Sequence, residues 1–313
     1  YARIGVGLQG LGIASAAYLA ALDYAKERKQ GPSIKNWKDA DAPRVAIIEH
    51  PNVRRMLLTM KAEVEGIRAL IVKAAVHIDR AAALAGKDDD EALYHQGQVE
   101  LLTPLVKAHS SDMAFRVAET AIQVHGGVGY TRDYPVEQHC RDAKIFSIYE
   151  GTNGIQALDL VARKLGQNGG QNMQRFLGDV AAFVEKNKNH AVLGPAVGLL
   201  SAAHEAVGRS TMQFMAWFGA GEMELIPLSA NRFLLMMSQL TVGWLLLDAA
   251  VIALEKNSAL PADAPDHAFY AGKQHAAVFF AHQTLSSIPG SARALSAGDK
   301  SAMAIPDAAF ATV

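Results

Sequence analysis

Apolar side chains recur at intervals of three and four along most of this chain, and nowhere do they alternate over a useful length. From residue 3 to 29, Ile4, Leu8, Leu11, Ala14, Tyr18, Ala21, Leu22 and Ala25 predict one long helix. Gln30-Gly31-Pro32-Ser33 closes it, and a polar loop containing Pro43 follows. Pro51 opens a second helix running to about Ala85, with Val53, Met56, Leu57, Met60, Val64, Ile67, Leu70 and Ile71 on one face. The charged turn Gly86-Lys87-Asp88-Asp89-Asp90 leads into a third helix from about Glu91 to Val124, with Pro104 near a kink, and a fourth helical pattern covers 155–165. Long helices joined by short polar turns predict a bundle. Gly166–Gly170 is the best boundary in the sequence. Beyond it, patterns at 173–189, 195–218, 222–256 and 266–287 predict a second set of helices, followed by Pro289-Gly290 and a small-residue tail. The fold class is therefore all-α, divided into residues 1–166 and 167–313.

Composition sharpens this picture. Half of the 313 residues are hydrophobic but only 7% are aromatic, which favours helices packed through small side chains. A net charge of −1 argues against a nucleic-acid partner held by electrostatics. The single cysteine, Cys140, excludes an internal disulfide framework and fits a reducing, cytoplasmic compartment. Tyr1 enters directly into a helical pattern, which predicts that the chain is a piece of something longer. Residues 233–254 are long enough to span a bilayer core of ~30 Å. Ser238, Gln239, Thr241 and Asp248 interrupt that run, however, and no basic cluster adjoins it, so a buried bundle helix rather than a membrane span is expected.

Several familiar patterns lack their context. Gly5-Val6-Gly7-Leu8-Gln9-Gly10 spells G-x-G-x-x-G, but no strand precedes it, and Asp23 and Glu27 lie on the same helix. Close helix–helix approach is the better reading of these glycines. His275 and His282 share a helix face without a nearby carboxylate or thiol, so no metal site is expected. Ser210-Thr211 and Ser286-Ser287 have no nucleophile-elbow context, and Met212, Met215, Met236 and Met237 read as core filler.

One constellation survives. Gln123-Val124-His125-Gly126-Gly127-Val128-Gly129-Tyr130 ends a helix in glycines whose bare backbone suits the close approach of a large ligand such as a dinucleotide. The same Gly-Gly is also compatible with a plain helix C-cap. Arg141-Asp142 and then Tyr149-Glu150-Gly151-Thr152 follow. Asn153 and Gln156 read as an N-cap and N3 pair, starting a helix at 154–165 just after Glu150. A lone acid at such a junction, near Phe146, Ile148 and Tyr149, is a candidate general base. The helix end would favour its charged form, and apolar burial the neutral one. Two plainer roles stay open, a capping carboxylate or an ion pair with Arg141.

Taken together, Gln-x-x-Gly-Gly-x-Gly-Tyr, Arg-Asp-Ala-Lys-Ile and Ile-Tyr-Glu-Gly-Thr-x-x-Ile-Gln resemble the C-terminal signature of acyl-CoA dehydrogenases, in family order and spacing. Residues 1–28, with Tyr24-Ala25-Lys26-Glu27-Arg28, resemble the helix that opens that family's C-terminal bundle. The Ala- and Leu-rich remainder is similar to the extra helical domain of a long bacterial branch that includes methylthiopropanoyl-CoA dehydrogenases of dimethylsulfoniopropionate breakdown. The resemblance implies FAD as cofactor and an acyl-CoA substrate, with Glu150 as the catalytic base that removes the α-proton. It implies Arg28, Gln123, Gly126, Gly127 and Thr152 as FAD contacts, Arg28, Gln123 and Gly127 meeting the FAD of a neighbouring subunit. It also implies Arg3, Tyr149 and Gly151 at the acyl-CoA. Some members carry the base just before the residue matching Arg3; that position is Ala2 here. Gly154 and Pro51 depart from glutamines that many members carry. An electron acceptor such as electron-transfer flavoprotein, a homo-oligomer (dimer or tetramer), and a missing N-terminal half of the same protein are further implications. An acyl-CoA oxidase is the sibling alternative, and a non-catalytic helical assembly fragment is the alternative of a different kind.

Overall fold

The computed structural model describes residues 2–311, and helices dominate it. Helix α1 spans Ala2–Glu27. It is followed by a short antiparallel hairpin, β1 (Lys29–Pro32) and β2 (Arg44–Ala46), which the hydrophobic pattern misses because strands of three and four residues are too short to alternate. The hairpin is set by local polar contacts. Gly31 takes a positive φ of 68°, and the His50 ring donates from Nε2 to the Gln30 carbonyl at 2.7 Å. Then come α2 (Pro51–Leu84), α3 (Asp89–His125, continuous through Pro104), α4 (Val136–Ala143) and α5 (Asn153–Asp159), the last continued by a π-helical turn over Leu160–Lys164. The remainder is α6 (Gln171–Asn187), α7 (Gly194–Ala220), α8 (Leu225–Ser258), α9 (His267–Gln283), α10 (Ile288–Ser296) and a last turn, α11 (Ser301–Ala304).

These elements form two compact units. The first comprises the chain up to Val76 together with Val106–Thr152 and Leu245–Phe280. The second comprises His77–Leu105, Asn153–Trp244 and the chain from Ala281. Helices α2, α3, α8 and α9 each contribute to both.

In the first unit the core lies between α1, the start of α2 and the C-terminal half of α3. Of the α2 residues expected on the core face, Met56, Leu57, Met60, Val64, Ile67, Leu70 and Ile71 are buried and Val53 is half-buried. On α1 the expected Ala14, Ala21 and Ala25 are buried, but the rest of the face differs. Its buried stripe is Val6, Gly7, Gly10, Ala14, Ala17, Ala21 and Ala25, whereas Leu8 is 53% exposed. Backbone proximity explains this. A methyl group on Gly10 would lie 2.8 Å from the Ser110 carbonyl oxygen, and one on Gly7 would lie 2.6 Å from Val106 Cγ1. Only small side chains fit such a seam, so the larger ones turn to its flanks. Two of the three glycines of the dinucleotide-like pattern are thus packing residues inside a helix, and Gly5 meets nothing.

In the second unit α7 packs on α6 and α10, burying Phe176, Val180, Leu200, Phe214, Ile288 and Leu295. Within the boundary segment Gly166–Gly170, Asn168, Gly169 and Gly170 all lie in the left-handed region. Two described helices, α1 and α8, are long and apolar enough to cross a membrane by length and composition. In α8, 61% of the most apolar window is buried, and its Thr241 hydroxyl is satisfied by the Met237 carbonyl at 2.7 Å, features of a core helix.

The Tyr94 hydroxyl donates to Asp179 Oδ2 at 2.6 Å, tying the start of α3 to α6. Burial, followed by this bond to a carboxylate, pushes the phenol's pKa up from its ordinary value. Tyr94→Phe is expected to cost about 1–2 kcal/mol near neutral pH, read from thermal or denaturant melts. Because the folded-state pKa is raised, the stabilisation is complete below the unfolded phenol's value of about 10. It is lost as pH rises beyond that, so the wild type and Tyr94→Phe should converge in strong alkali.

Candidate functional site

After α4 a 3₁₀ turn over Lys144–Ser147 leads into the loop that holds Glu150. Glu150 has a φ of 55°, and Gly151 continues the left-handed path at 82°. Among the described residues Glu150 and Asn168 are the two non-glycine positions with positive φ. That conformation costs an ordinary L-residue about 1–2 kcal/mol, and such strain concentrates at functional positions. The next helix begins at Asn153 itself, a residue earlier than the capping pattern predicts. Glu150 is exposed, as are Ile148, Gly151 and Thr152, whereas Phe146 is buried and Tyr149 half-buried. The apolar enclosure expected around the acid is therefore only begun by this chain. The ion pair with Arg141 is not formed either. Arg141 is one turn from Glu137 on α4 and binds it at 2.8 Å.

A side-chain hydrogen bond ties this loop to α1. The Tyr149 hydroxyl donates to the Gln9 side chain of α1. Below, Lys107 of α3 is completely enclosed. Burial pulls the Lys107 ammonium's pKa down. The Asp112 carboxylate opposes that, the Arg3 guanidinium adds to it, and the Glu150 carboxylate opposes it. The charges of Arg3 and Glu150 thus both act on a buried cation that the sequence reading overlooked. A lysine set between Val106 and Ala108 in a helical run gives no signal of its own.

The remaining candidates lie elsewhere. Gly7 against Val106, Gly10 against Ser110, and the Tyr24 ring stacked on His125 at 4.3 Å show that α1 and the second half of α3 run parallel. Arg3 and Arg28 thus sit at opposite ends of α1, roughly 37 Å apart at 1.5 Å per residue. At the far end Arg28 is exposed on its side chain and pinned through its backbone. Its N–H donates to the Tyr24 carbonyl at 2.9 Å, and its carbonyl accepts from the Ile47 N–H at 2.8 Å. His125 lies between Tyr24 and Tyr134. It donates from Nδ1 to the Ala121 carbonyl at 2.8 Å, and burial lowers its pKa, so it is a neutral plug at the helix end. Gln123, Gly126 and Gly127 are exposed beside it. A Cβ at Gly126 or Gly127 would meet no atom within 4 Å, whereas one at Gly129 would lie 2.6 Å from the His125 Cβ. The first two glycines leave an open backbone face, and the third is a packing residue. The structure therefore assembles two patches, Arg3–Tyr149–Glu150–Gly151–Thr152 at one end and Arg28–Gln123–Gly126–Gly127 at the other. Among the described residues no three His, Cys, Asp or Glu side chains form a group that could hold a metal ion.

A family model described as "Acyl-CoA dehydrogenase, C-terminal domain" matches residues 1–166, and one described as "Acetyl-CoA dehydrogenase C-terminal like" matches residues 176–306. This chain belongs to the acyl-CoA dehydrogenase family. As a member it is 35% identical to the broad-specificity linear acyl-CoA dehydrogenase FadE5 of Mycobacterium tuberculosis, over 99% of this chain and 51% of that protein. It is 38% identical to the 3-methylmercaptopropionyl-CoA dehydrogenase of Ruegeria pomeroyi, over 91% of this chain and 47% of that protein. The acyl-CoA dehydrogenase chain thus spans about half the length of these curated relatives. In fold it resembles an acyl-CoA dehydrogenase complexed with FAD from Bacillus anthracis, with a TM-score of 0.68 at 18% identity, over 94% of this chain and 48% of that one.

Proposed function

We propose that residues 1–166 are the C-terminal bundle of an FAD-dependent acyl-CoA dehydrogenase and residues 167–313 the added helical domain of its long branch. The parent enzyme would convert an acyl-CoA thioester to the trans-2-enoyl-CoA, with 3-methylmercaptopropionyl-CoA a candidate substrate. The observation that carries this reading is Glu150: an exposed carboxylate on a left-handed backbone, with the cations of Arg3 and Lys107 at the same end of the helix pair.

The residues fit the cofactor. The open glycine face at Gly126 and Gly127, flanked by Gln123 and Arg28, suits a diphosphate, and exposed Thr152 adjoins the base. FAD, when bound, supplies the acceptor that takes the β-hydrogen as hydride. The Glu150 carboxylate takes the α-proton, and its left-handed turn presents it to the thioester. An α-proton beside a thioester is weakly acidic, so the carbonyl oxygen must be polarised. Backbone N–H groups of the Glu150–Gly151 turn are the candidate donors. The N-terminal half would cover the carboxylate and exclude water. The separation of the two patches favours an oligomer in which the Arg28–Gly127 end of one subunit completes a neighbour's FAD site, with electrons leaving to a carrier such as electron-transfer flavoprotein.

The test is anaerobic mixing of the full-length protein with a panel of acyl-CoAs that includes 3-methylmercaptopropionyl-CoA. Flavin bleaching is expected, and the fastest thioester names the substrate class. No bleaching by any thioester, with FAD bound, would overturn the reading. Hydrogen peroxide formed stoichiometrically in air would mark an oxidase instead. In addition, Gly127→Leu should leave the fold intact, since nothing crowds that position, yet weaken FAD retention at least tenfold in gel filtration.

A further inference from the structure

Midway along α1 the first unit leaves an opening that neither patch uses. Tyr18 and Leu22 of α1, Ile48 of the turn before α2, and Leu57 and Leu58 of α2 line a cavity of about 320 Å³. Leu57 is buried and the other four are half-buried, so the body of the cavity is aliphatic apart from one phenol. Arg54 and Lys61 line it as well. Positions 54, 57, 58 and 61 follow the i, i+3, i+4, i+7 spacing of a single helical stripe, which is why α2 offers apolar and basic groups together. His275 of α9 completes the ring, and every one of these residues belongs to the first unit. Tyr18 follows Gln9 by nine residues, so the cavity lies roughly 14 Å along α1 from the Glu150 loop.

The charge around this cavity has one sign, since no acidic residue lines it. Lys61 is paired with Glu65, but Lys273 also binds Glu65, at 3.4 Å, so two ammonium groups share one carboxylate. The guanidinium of Arg54 has no ion-pair partner among the described residues and is exposed at the mouth. An aliphatic floor beneath surplus positive charge fits an amphiphile with an anionic head. The volume sits near the lower end of the roughly 300–1,000 Å³ of small-molecule sites, which favours a short chain over a peptide. An arginine fork is shaped to grip a carboxylate through two parallel hydrogen bonds.

We infer that this cavity binds a free aliphatic carboxylate, with its chain against Leu22, Ile48, Leu57 and Leu58 and its head on Arg54 and Lys61. The inference does not depend on the dehydrogenase reading.

The test is isothermal titration of the full-length, FAD-loaded protein with butanoate, hexanoate and octanoate. Affinity should rise by roughly two- to fourfold for each added methylene. Octanol, which has the chain without the charge, should bind at least tenfold more weakly than octanoate. Arg54→Ala, at an exposed position that tolerates truncation, should weaken octanoate binding by roughly tenfold or more. No octanoate binding, or octanol binding as tightly as octanoate, would overturn the inference. Binding unchanged in Arg54→Ala would overturn it too, by placing the carboxylate elsewhere on the protein. Arg54-dependent binding in a protein that no acyl-CoA bleaches would uphold this site and strike only the dehydrogenase reading.

Discussion

Glu150→Gln in the full-length protein is expected to slow flavin bleaching by acyl-CoA by roughly 10²–10⁴-fold, the range that a positioned general base contributes. Binding of FAD and of the thioester should survive, because the amide keeps the shape of the side chain and the backbone turn. Stability should change by less than about 0.5 kcal/mol, since Glu150 is exposed. Glu150→Gly separates the two roles further. At a φ of 55° glycine relieves the strain, so this variant should be more stable by about 1 kcal/mol and equally inactive. Wild-type bleaching in Glu150→Gln would remove the base from this position and return the chain to the reading of a helical assembly piece.

Gly10→Ala and Gly12→Ala, two residues apart on one helix, are expected to change stability in opposite directions. Replacing a helix-interior glycine by alanine ordinarily gains about 0.5–1 kcal/mol. At Gly12, where an added Cβ meets no atom within 4 Å, that gain should appear in full. At Gly10 the Cβ would lie 2.8 Å from the Ser110 carbonyl oxygen, which is backbone and cannot step aside. Overpacking of this kind costs about 1–3 kcal/mol, so a net loss of roughly 1–2 kcal/mol is expected from denaturant melts of residues 1–313. The Gly10 variant should also lose activity in the full-length protein, because α1 carries Arg3 and Gln9 to the Glu150 loop. Equal effects at the two positions would show that the α1–α3 seam is not close-packed.

Helix positions were legible from sequence because most run for four turns or more, long enough for a 3.6-residue period to declare itself. The α2 core face was read residue by residue on that basis. The α1 face was read only in part, since apart from Val6 its contact side is glycine and alanine, which hydrophobicity ranks below the leucines beside them. The β1–β2 hairpin is invisible for a different reason: its geometry rests on Gly31 and a His50–Gln30 hydrogen bond rather than on apolar alternation. At the site, motif residues at fixed spacing were legible, but the strain at Glu150 and the enclosure of Lys107 were not. Both are properties of how distant segments meet. The Tyr24–His125–Tyr134 stack, which joins the Arg28 end of α1 to the Gly126 turn, likewise needs three residues spread over more than a hundred positions.

The interleaving of the two compact units bears on how this chain can be divided. Its most visible seam, the left-handed run Asn168–Gly170, invites a cut that would keep everything bearing the family motifs. Yet Leu245–Phe280 belongs to the same unit as Glu150 and contributes buried Leu246, Leu247, Ala250, Ala277 and Phe280. A shortened protein ending near residue 166 would leave the motif-bearing half with part of its own wall missing. Domain exchange between relatives, in the laboratory or over evolutionary time, would therefore have to carry both halves together.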